Sequence, residues 1–240
     1  MKILALDSSA VVASVALCED DKLLAEYTLN NGNTHSETLL PMVESIFRHF
    51  GISARDIDLF AVSAGPGSFT GIRIGAATLK GLAFGMDLPC VGVSTLEAIA
   101  TNLVLRPSLI CPVMNARRGQ VYTALFRSDG QKLERLMPDS ALSIAELDEQ
   151  LAKYGEPVCF CGDGYGITLA ALKQTAASPV PDRLRHQSAY SVAQVAKRMY
   201  EAGQYTDDAG LTVTYLRPSQ AERERMEREN LGNTEKEVKL

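Results

Sequence analysis

The chain has 240 residues, of which 46% are hydrophobic and 22% charged, and a net charge of −5. That is the composition of a globular protein, long enough for one large domain or two smaller ones with a substantial core. The acidic balance excludes a broad non-specific nucleic-acid surface, which needs a basic face. It leaves room for a small basic patch, or for RNA met through a partner.

Three short apolar runs open the chain. Ile3–Leu6 ends at Asp7-Ser8-Ser9, Val11–Cys18 at Glu19-Asp20-Asp21, and Leu23–Leu29 at Asn30-Asn31-Gly32. Short strands joined by polar turns predict an antiparallel meander. Thr34-His35-Ser36-Glu37 has capping-box spacing, and Leu39, Val43, Ile46 and Phe50 recur at helical steps up to Gly51, a natural stop. Pro41 sits awkwardly there: either it kinks the first turn or the regular helix begins near it. Ile57–Val62 reads as a strand buried on both faces.

Ser63–Arg73 follows, a Gly-rich turn opening a helix over 71–84. Its spacing, G-x-G-x3-G, is one residue off the dinucleotide fingerprint, and no Gly-Lys-Ser/Thr follows, so it is not a P-loop. Two readings stand side by side: a tight strand-to-helix turn, and a phosphate-loop-like cradle of Gly65, Gly67, Ser68, Thr70 and Gly71 at a helix N-terminus. The helix carries Gly71, Gly75, Ala76, Ala77, Gly81 and Ala83. Interior glycines cost roughly 1 kcal/mol each, so another backbone must come close, either the helix's own sheet or a helix of another subunit. A fifth strand over 89–94 and a helix over 95–105 complete this half.

After Arg106-Pro107-Ser108 the pattern restarts. Strands over 109–114, 121–126 and 132–137, a helix over 143–154, a strand over 157–161, the Gly-rich turn Gly162–Gly166 and a helix over 167–174 repeat the first order. This differs from a Rossmann unit, where strands and helices alternate from the start. The expected lobes are 1–106 and 107–220. A helix over 188–203 follows, and 221–240 reads as a charged flexible tail, with six Glu and five Arg or Lys, unable to bury a core.

The chemistry is sparse. Three histidines, His35, His49 and His186, have no metal-ligand spacing, so no metal site is expected. Ser8 and Ser68 lie at strand ends, but no G-x-S-x-G elbow surrounds them. Asp7 and Asp163, at strand ends beside polar turns, suit either magnesium near phosphates or simple turn formation. Arg117-Arg118, with Arg73 and Lys80, offers a phosphate or RNA contact, or solvated and interface charge. Five cysteines in no framework read as reduced, mostly buried thiols of a cytoplasmic protein. No run nears the ~18 apolar residues of a membrane span, and Met1-Lys2 leads straight into a strand, so neither a signal peptide nor membrane contact is expected.

Asp7-Ser8-Ser9, His35-Ser36-Glu37 with Leu40-Pro41, Gly65–Gly75, Ala116-Arg117-Arg118-Gly119 with Val121-Tyr122, and Tyr215–Pro218 together resemble the TsaB (YeaZ-type) family, over about Met1 to Pro218. The resemblance implies an α/β, actin/sugar-kinase/Hsp70-like fold of two lobes, each a three-strand meander followed by helix, strand and helix. It implies a non-catalytic scaffold and activator in making threonylcarbamoyladenosine beside the anticodon of tRNA. The implied partners are a TsaD-type catalytic subunit, a TsaE-type ATPase and tRNA through the complex, with room for a homodimer when the chain is alone. The pairing surface would be the first-lobe helices, through His35, Leu39, Val43, Ile72, Gly75, Ala76 and Leu79. No catalytic residue is implied, and no cofactor of its own: ATP and magnesium would be bound by partner subunits. The metal-binding His-x3-His of the TsaD-type enzyme has no counterpart, since no histidine lies between His49 and His186. Asn115 and Gln120 depart from acids often found in the family. A glycoprotease-like peptidase and a small-molecule kinase on the same fold are the competing readings.

Overall fold

The computed structural model describes residues 1–217; the charged tail expected at 221–240 lies outside them. The first half contains β1 (Lys2–Asp7), β2 (Ala13–Glu19), β3 (Lys22–Leu29), α1 (His35–Phe50), β4 (Leu59–Gly65), α2 (Phe69–Ala83), β5 (Cys90–Ser94) and α3 (Thr95–Thr101). The second contains β6 (Ser108–Asn115), β7 (Gln120–Ser128), β8 (Leu133–Ser143), α4 (Ile144–Ala152), β9 (Val158–Cys161), α5 (Tyr165–Ala171), β10 (Ala177–Ser178) and α6 (Ala189–Glu201). The sheets have the same order, β3-β2-β1-β4-β5 and β8-β7-β6-β9-β10. In each, the meander is antiparallel and the last two strands add in parallel. The duplicated α/β architecture expected for the actin and sugar-kinase frame is therefore present. The two-residue β10, which completes the second sheet, is too short to leave a pattern in the sequence.

Alternation along β1 explains how the first sheet is covered. Leu4 and Leu6 face α1 and α2, where they pack with Leu39, Val43, Ile46 and Leu79. Ile3 and Ala5 face the other way, onto Val192, Val195 and Ala196 of α6. The second sheet is built likewise. Leu109, Cys111 and Val113 meet Leu147 and Leu151 of α4, while Ile110 and Met114 meet Leu96, Ile99 and Ala100 of α3. The third helix of each half thus packs on the sheet of the other. A linear division at 106/107 separates the strands but not the helices: α6 packs on the first sheet, and α3 packs on the second while keeping Ala98 in the core of the first.

Local chemistry sets the element ends. Gly51 stops α1 in the left-handed conformation, φ 62°. Ser143 and Glu146 close a capping box at α4. The capping box expected at Thr34 is not made, since that side chain makes no cap bond and only its carbonyl receives the Glu37 N–H, at 3.0 Å. The helix begins at His35 and runs through Pro41, whose ring points to solvent.

Candidate functional site

The lobes face each other across a cleft of about 930 Å³. Its first-lobe wall is the β1–β2 turn at Ser9–Val11 and the loop Pro66–Thr70; its second-lobe wall is Met114–Arg117, Tyr122 and Asp163. Thr214–Arg217 runs along it as a strap. Four of the five segments that carry the family resemblance contribute residues to this lining: Ser9, Gly67–Thr70 with Arg73, Ala116 and Arg117 with Tyr122, and Tyr215–Arg217; His35–Pro41 does not.

The Gly-rich loop owes its glycines to packing. A Cβ on Gly65 would overlap the Thr214 carbonyl, one on Gly67 the Ser9 carbonyl, and one on Gly71 the Ser8 carbonyl. The Ser68 N–H donates to Ser9 O at 2.6 Å, and Ser68 Oγ caps α2 by accepting from the Gly71 N–H at 3.3 Å. Two N–H groups that a phosphate cradle would use are therefore spent within the chain. Of the five loop residues singled out by sequence, Gly67, Ser68 and Thr70 line the cleft, while Gly65 and Gly71 stand behind it as close-contact positions.

Asp7, at the end of β1 just before the cleft-lining Ser9, is fully buried and does not line the cleft. Its Oδ1 accepts from Ser9 N and Oγ at 2.9 and 2.6 Å, and its Oδ2 from Ser63 Oγ at 2.5 Å. Burial raises its pKa more than the bonds from Ser63 and Ser9 lower it. Asp163 accepts from Asn115 N at 3.2 Å and is also shifted up by burial. Among the described residues no group of three His, Cys, Asp or Glu is arranged to hold a metal. All five cysteines are free and buried, with the Cys18 and Cys111 thiols pushed up to about 12 by burial.

The cations gather at the rim. Arg73 lies 3.9 Å over the Phe69 ring and donates from Nε to Tyr215 Oη at 2.6 Å; Phe69 and Tyr215 stack at 4.5 Å. Arg217 donates to Ala116 O at 3.2 Å, joining the strap to the second lobe. Arg117, Arg118 and Gly119 form the β6–β7 turn in consecutive left-handed conformations, φ 61°, 53° and 72°. Sequence reasoning named Arg73 and Arg117 but gave no role to Phe69, Tyr215 or Arg217. Only their presence in the resembling motifs marked them, because contacts at a separation of 142 residues leave no local pattern.

The expected pairing residues are placed differently. Leu39, Val43, Ile72 and Leu79 are core residues at 1% exposure or less, and Ala76 is at 7%. Gly75 faces inward, where a Cβ would lie 2.6 Å from Ser8 Oγ and 3.1 Å from Val62 Cγ2. His35 is occupied within the chain, its Nε2 2.6 Å from Ala10 O. Six of these positions are buried within the lobe, while His35 is half-buried, with its Nε2 bonded and its Nδ1 without a partner. Hydrophobic periodicity finds the buried side of a helix, and that side here faces its own sheet. The outward stripe consists of Leu40 and Pro41 on α1 with Ala77 and Gly81 on α2, continued by Phe84 at 80% exposure.

The model of the family described as "TsaD: tRNA N6-adenosine threonylcarbamoyltransferase" matches residues 22–223. The chain is 33% identical to the Bacillus subtilis tRNA threonylcarbamoyladenosine biosynthesis protein TsaB, over 92% of this chain and 96% of that protein. The chain belongs to the TsaB family. It is also 40% identical to Escherichia coli TsaB, over 54% of this chain and 56% of that one. The solved structure of YeaZ from Pseudomonas aeruginosa superposes with a TM-score of 0.77 at 25% identity, covering 90% of this chain and 99% of that one. Another Pseudomonas aeruginosa structure, titled an uncharacterized protein with similarity to peptidase YEAZ, superposes with the same TM-score at 24% identity. No helix among the described residues is long and apolar enough to cross a membrane.

Proposed function

We propose that this chain is a cytoplasmic, non-catalytic subunit of a complex that forms threonylcarbamoyladenosine in tRNA. In this reading it pairs with a TsaD-type catalytic subunit, and a TsaE-type ATPase joins the pair. ATP and magnesium are bound by those partners, and the chain carries no cofactor of its own. The observation that carries the reading is end-to-end similarity to a TsaB protein, 96% of whose length is matched.

The polar groups of the cleft support an accessory role over the competing chemistries. A peptidase needs a nucleophile beside a base. Here Ser8 Oγ donates to Gly71 O at 2.8 Å, Ser68 Oγ is a helix cap, and His35 is bonded to a carbonyl. A kinase needs a carboxylate free to bind metal or take a proton; Asp7 is enclosed and held by two serines, and Asp163, the carboxylate in the cleft lining, accepts from the Asn115 N–H.

The test is threonylcarbamoyl transfer to tRNA by a TsaD-type enzyme and its ATPase partner, with and without this chain, alongside size-exclusion of the pair. Transfer that requires the chain, and a complex abolished by Gly81→Arg on the outward stripe, is the expected result. Equal transfer without the chain, and no complex, refutes the reading. Gly75→Arg is unsuitable as an interface probe, because the residue faces Ser8 and Val62 and its substitution disrupts the lobe.

A further inference from the structure

The chain is acidic overall, yet three arginines, Arg73, Arg117 and Arg217, converge on the interlobe cleft, and Arg118 lies beside them on the same turn. Among the described residues, the ion pairs engage the Met1 amino terminus, Arg127, Arg135, Arg185, His186, Lys197 and Arg198, and none involves these four. The one acid in the cleft lining is Asp163, which is bonded to the Asn115 N–H. A local excess of unpaired guanidinium in a concave site focuses potential on an anion. The planar fork of arginine matches phosphate oxygens in two-point contact. Arg73 is held in place by Phe69 and Tyr215, and Arg217 by the Ala116 carbonyl, so neither must be ordered when a ligand arrives.

We propose that this cleft is a direct contact for the backbone phosphates of the RNA substrate, taken by Arg73, Arg117 and Arg217 without a metal ion. A metal–nucleotide complex is disfavoured as the occupant because Asp7 is enclosed by Ser9 and Ser63. An RNA strand is favoured because Arg73, Arg117 and Arg118 are exposed at the rim, next to the half-exposed ring of Tyr215. Backbone phosphates flanked by an aromatic ring are the usual chemistry of single-stranded RNA contact. The inference rests on the proposed role in tRNA modification.

Binding of a fluorescein-labelled tRNA transcript is measured by anisotropy across a salt series, both for the chain alone and for its complex with a TsaD-type subunit. The proteins are wild type, Arg117→Asn, which suits the left-handed turn, and Arg117→Lys. Arg117→Asn is expected to weaken binding about three- to ten-fold and to flatten the log–log salt slope by about 0.7–0.9. Arg117→Lys is expected to retain the slope, and size-exclusion to show the complex intact in all three. Affinity and slope unchanged in Arg117→Asn overturn the proposal. So does Arg117-dependent binding of ATP in EDTA with no such dependence for tRNA. If wild type forms no complex, the subunit reading fails by itself, and the chain alone still decides the RNA contact.

Discussion

Helix α2 carries two glycines for which propensity alone makes one prediction and the structure makes two. Replacing a helical glycine by alanine gains about 0.5–1 kcal/mol from backbone entropy and solvation. Gly81 is exposed, with nothing within 4 Å of its ideal Cβ position, so Gly81→Ala is expected to gain that amount. At Gly71 the added Cβ overlaps the Ser8 carbonyl oxygen. Reaching ordinary contact near 3.5 Å requires the start of α2 to retreat by more than about 1 Å. That movement breaks the Ser8 Oγ–Gly71 O bond of 2.8 Å and the Ser68 N–Ser9 O bond of 2.6 Å. Two hydrogen bonds at about 1 kcal/mol each and about 1–3 kcal/mol of overpacking outweigh the propensity gain. The net is a loss of roughly 2–4.5 kcal/mol, or about 4–18 °C in Tm for a chain of this size. Thermal and urea unfolding of the two variants beside wild type measure both signs. Gly71→Ala unfolding at or above the wild-type temperature would falsify the packing explanation of this loop.

Two buried carboxylates give pH-dependent expectations of opposite sense. Burial pushes Asp148 up, but the N–H groups of Lys173, Gln174 and Thr175, at 2.7, 3.0 and 2.9 Å, pull it below its ordinary value. Asp148→Ala strands these donors and is expected to cost roughly 3 kcal/mol at neutral pH. A depressed pKa means that the stabilisation is present above 3.8 and lost as pH falls, so the gap between variant and wild type should narrow in acid; a gap constant with pH refutes this. Asp7 is raised, so its contribution is full below 3.8 and declines as pH rises through the folded value. Asp7→Asn, followed by urea unfolding between about pH 4 and 7, should therefore gain on wild type with rising pH, and a flat difference would refute the upward shift by burial.

The fold was legible in the sequence because its signals are local. Apolar runs of strand length, helical spacing at Leu39, Val43 and Ile46, and stops such as Gly51 fall within windows of a few residues. The repeat of their order implied two similar sheets, and both have the same strand order. The site was only partly legible. Gly67, Ser68 and Thr70 were found because a Gly-rich turn before a helix is a contiguous pattern. Leu39, Val43, Ile72 and Leu79, which the resemblance placed on a pairing surface, are buried within the lobe, because a helix's apolar face is covered without the sequence showing by what. The small residues of α2 illustrate both sides of that ambiguity: Gly71 and Gly75 admit the chain's own β1–β2 turn, and Ala77 and Gly81 face out. Tyr215 and Arg217 could be placed only by tertiary structure, since they follow the last helix in a segment without regular structure.

The crossed helices bear on how freely the cleft can open. A kinase on a two-lobed frame works by opening and closing its cleft, which requires lobes that move as separate bodies. Here α3 lies between the sheets, with Ala98 in the core of the first and Leu96, Ile99 and Ala100 packed beside Ile110, Met114 and Phe126 of the second. Polar contacts reinforce the junction: Ser94 Oγ donates to Asp139 at 2.6 Å, and Arg135 and Arg198 both reach Glu97, at 2.9 and 3.4 Å. Across the cleft, the strap is tied to the first lobe by Thr214 N–Ala64 O at 2.7 Å and to the second by Arg217. Opening the cleft would expose three fully buried side chains of α3, at about 1.5–3 kcal/mol for each large one, and would also break bonds on both sides. These contacts on both sides oppose opening of the cleft, which fits the proposed role as a surface that positions a partner better than a site that must enclose its substrate.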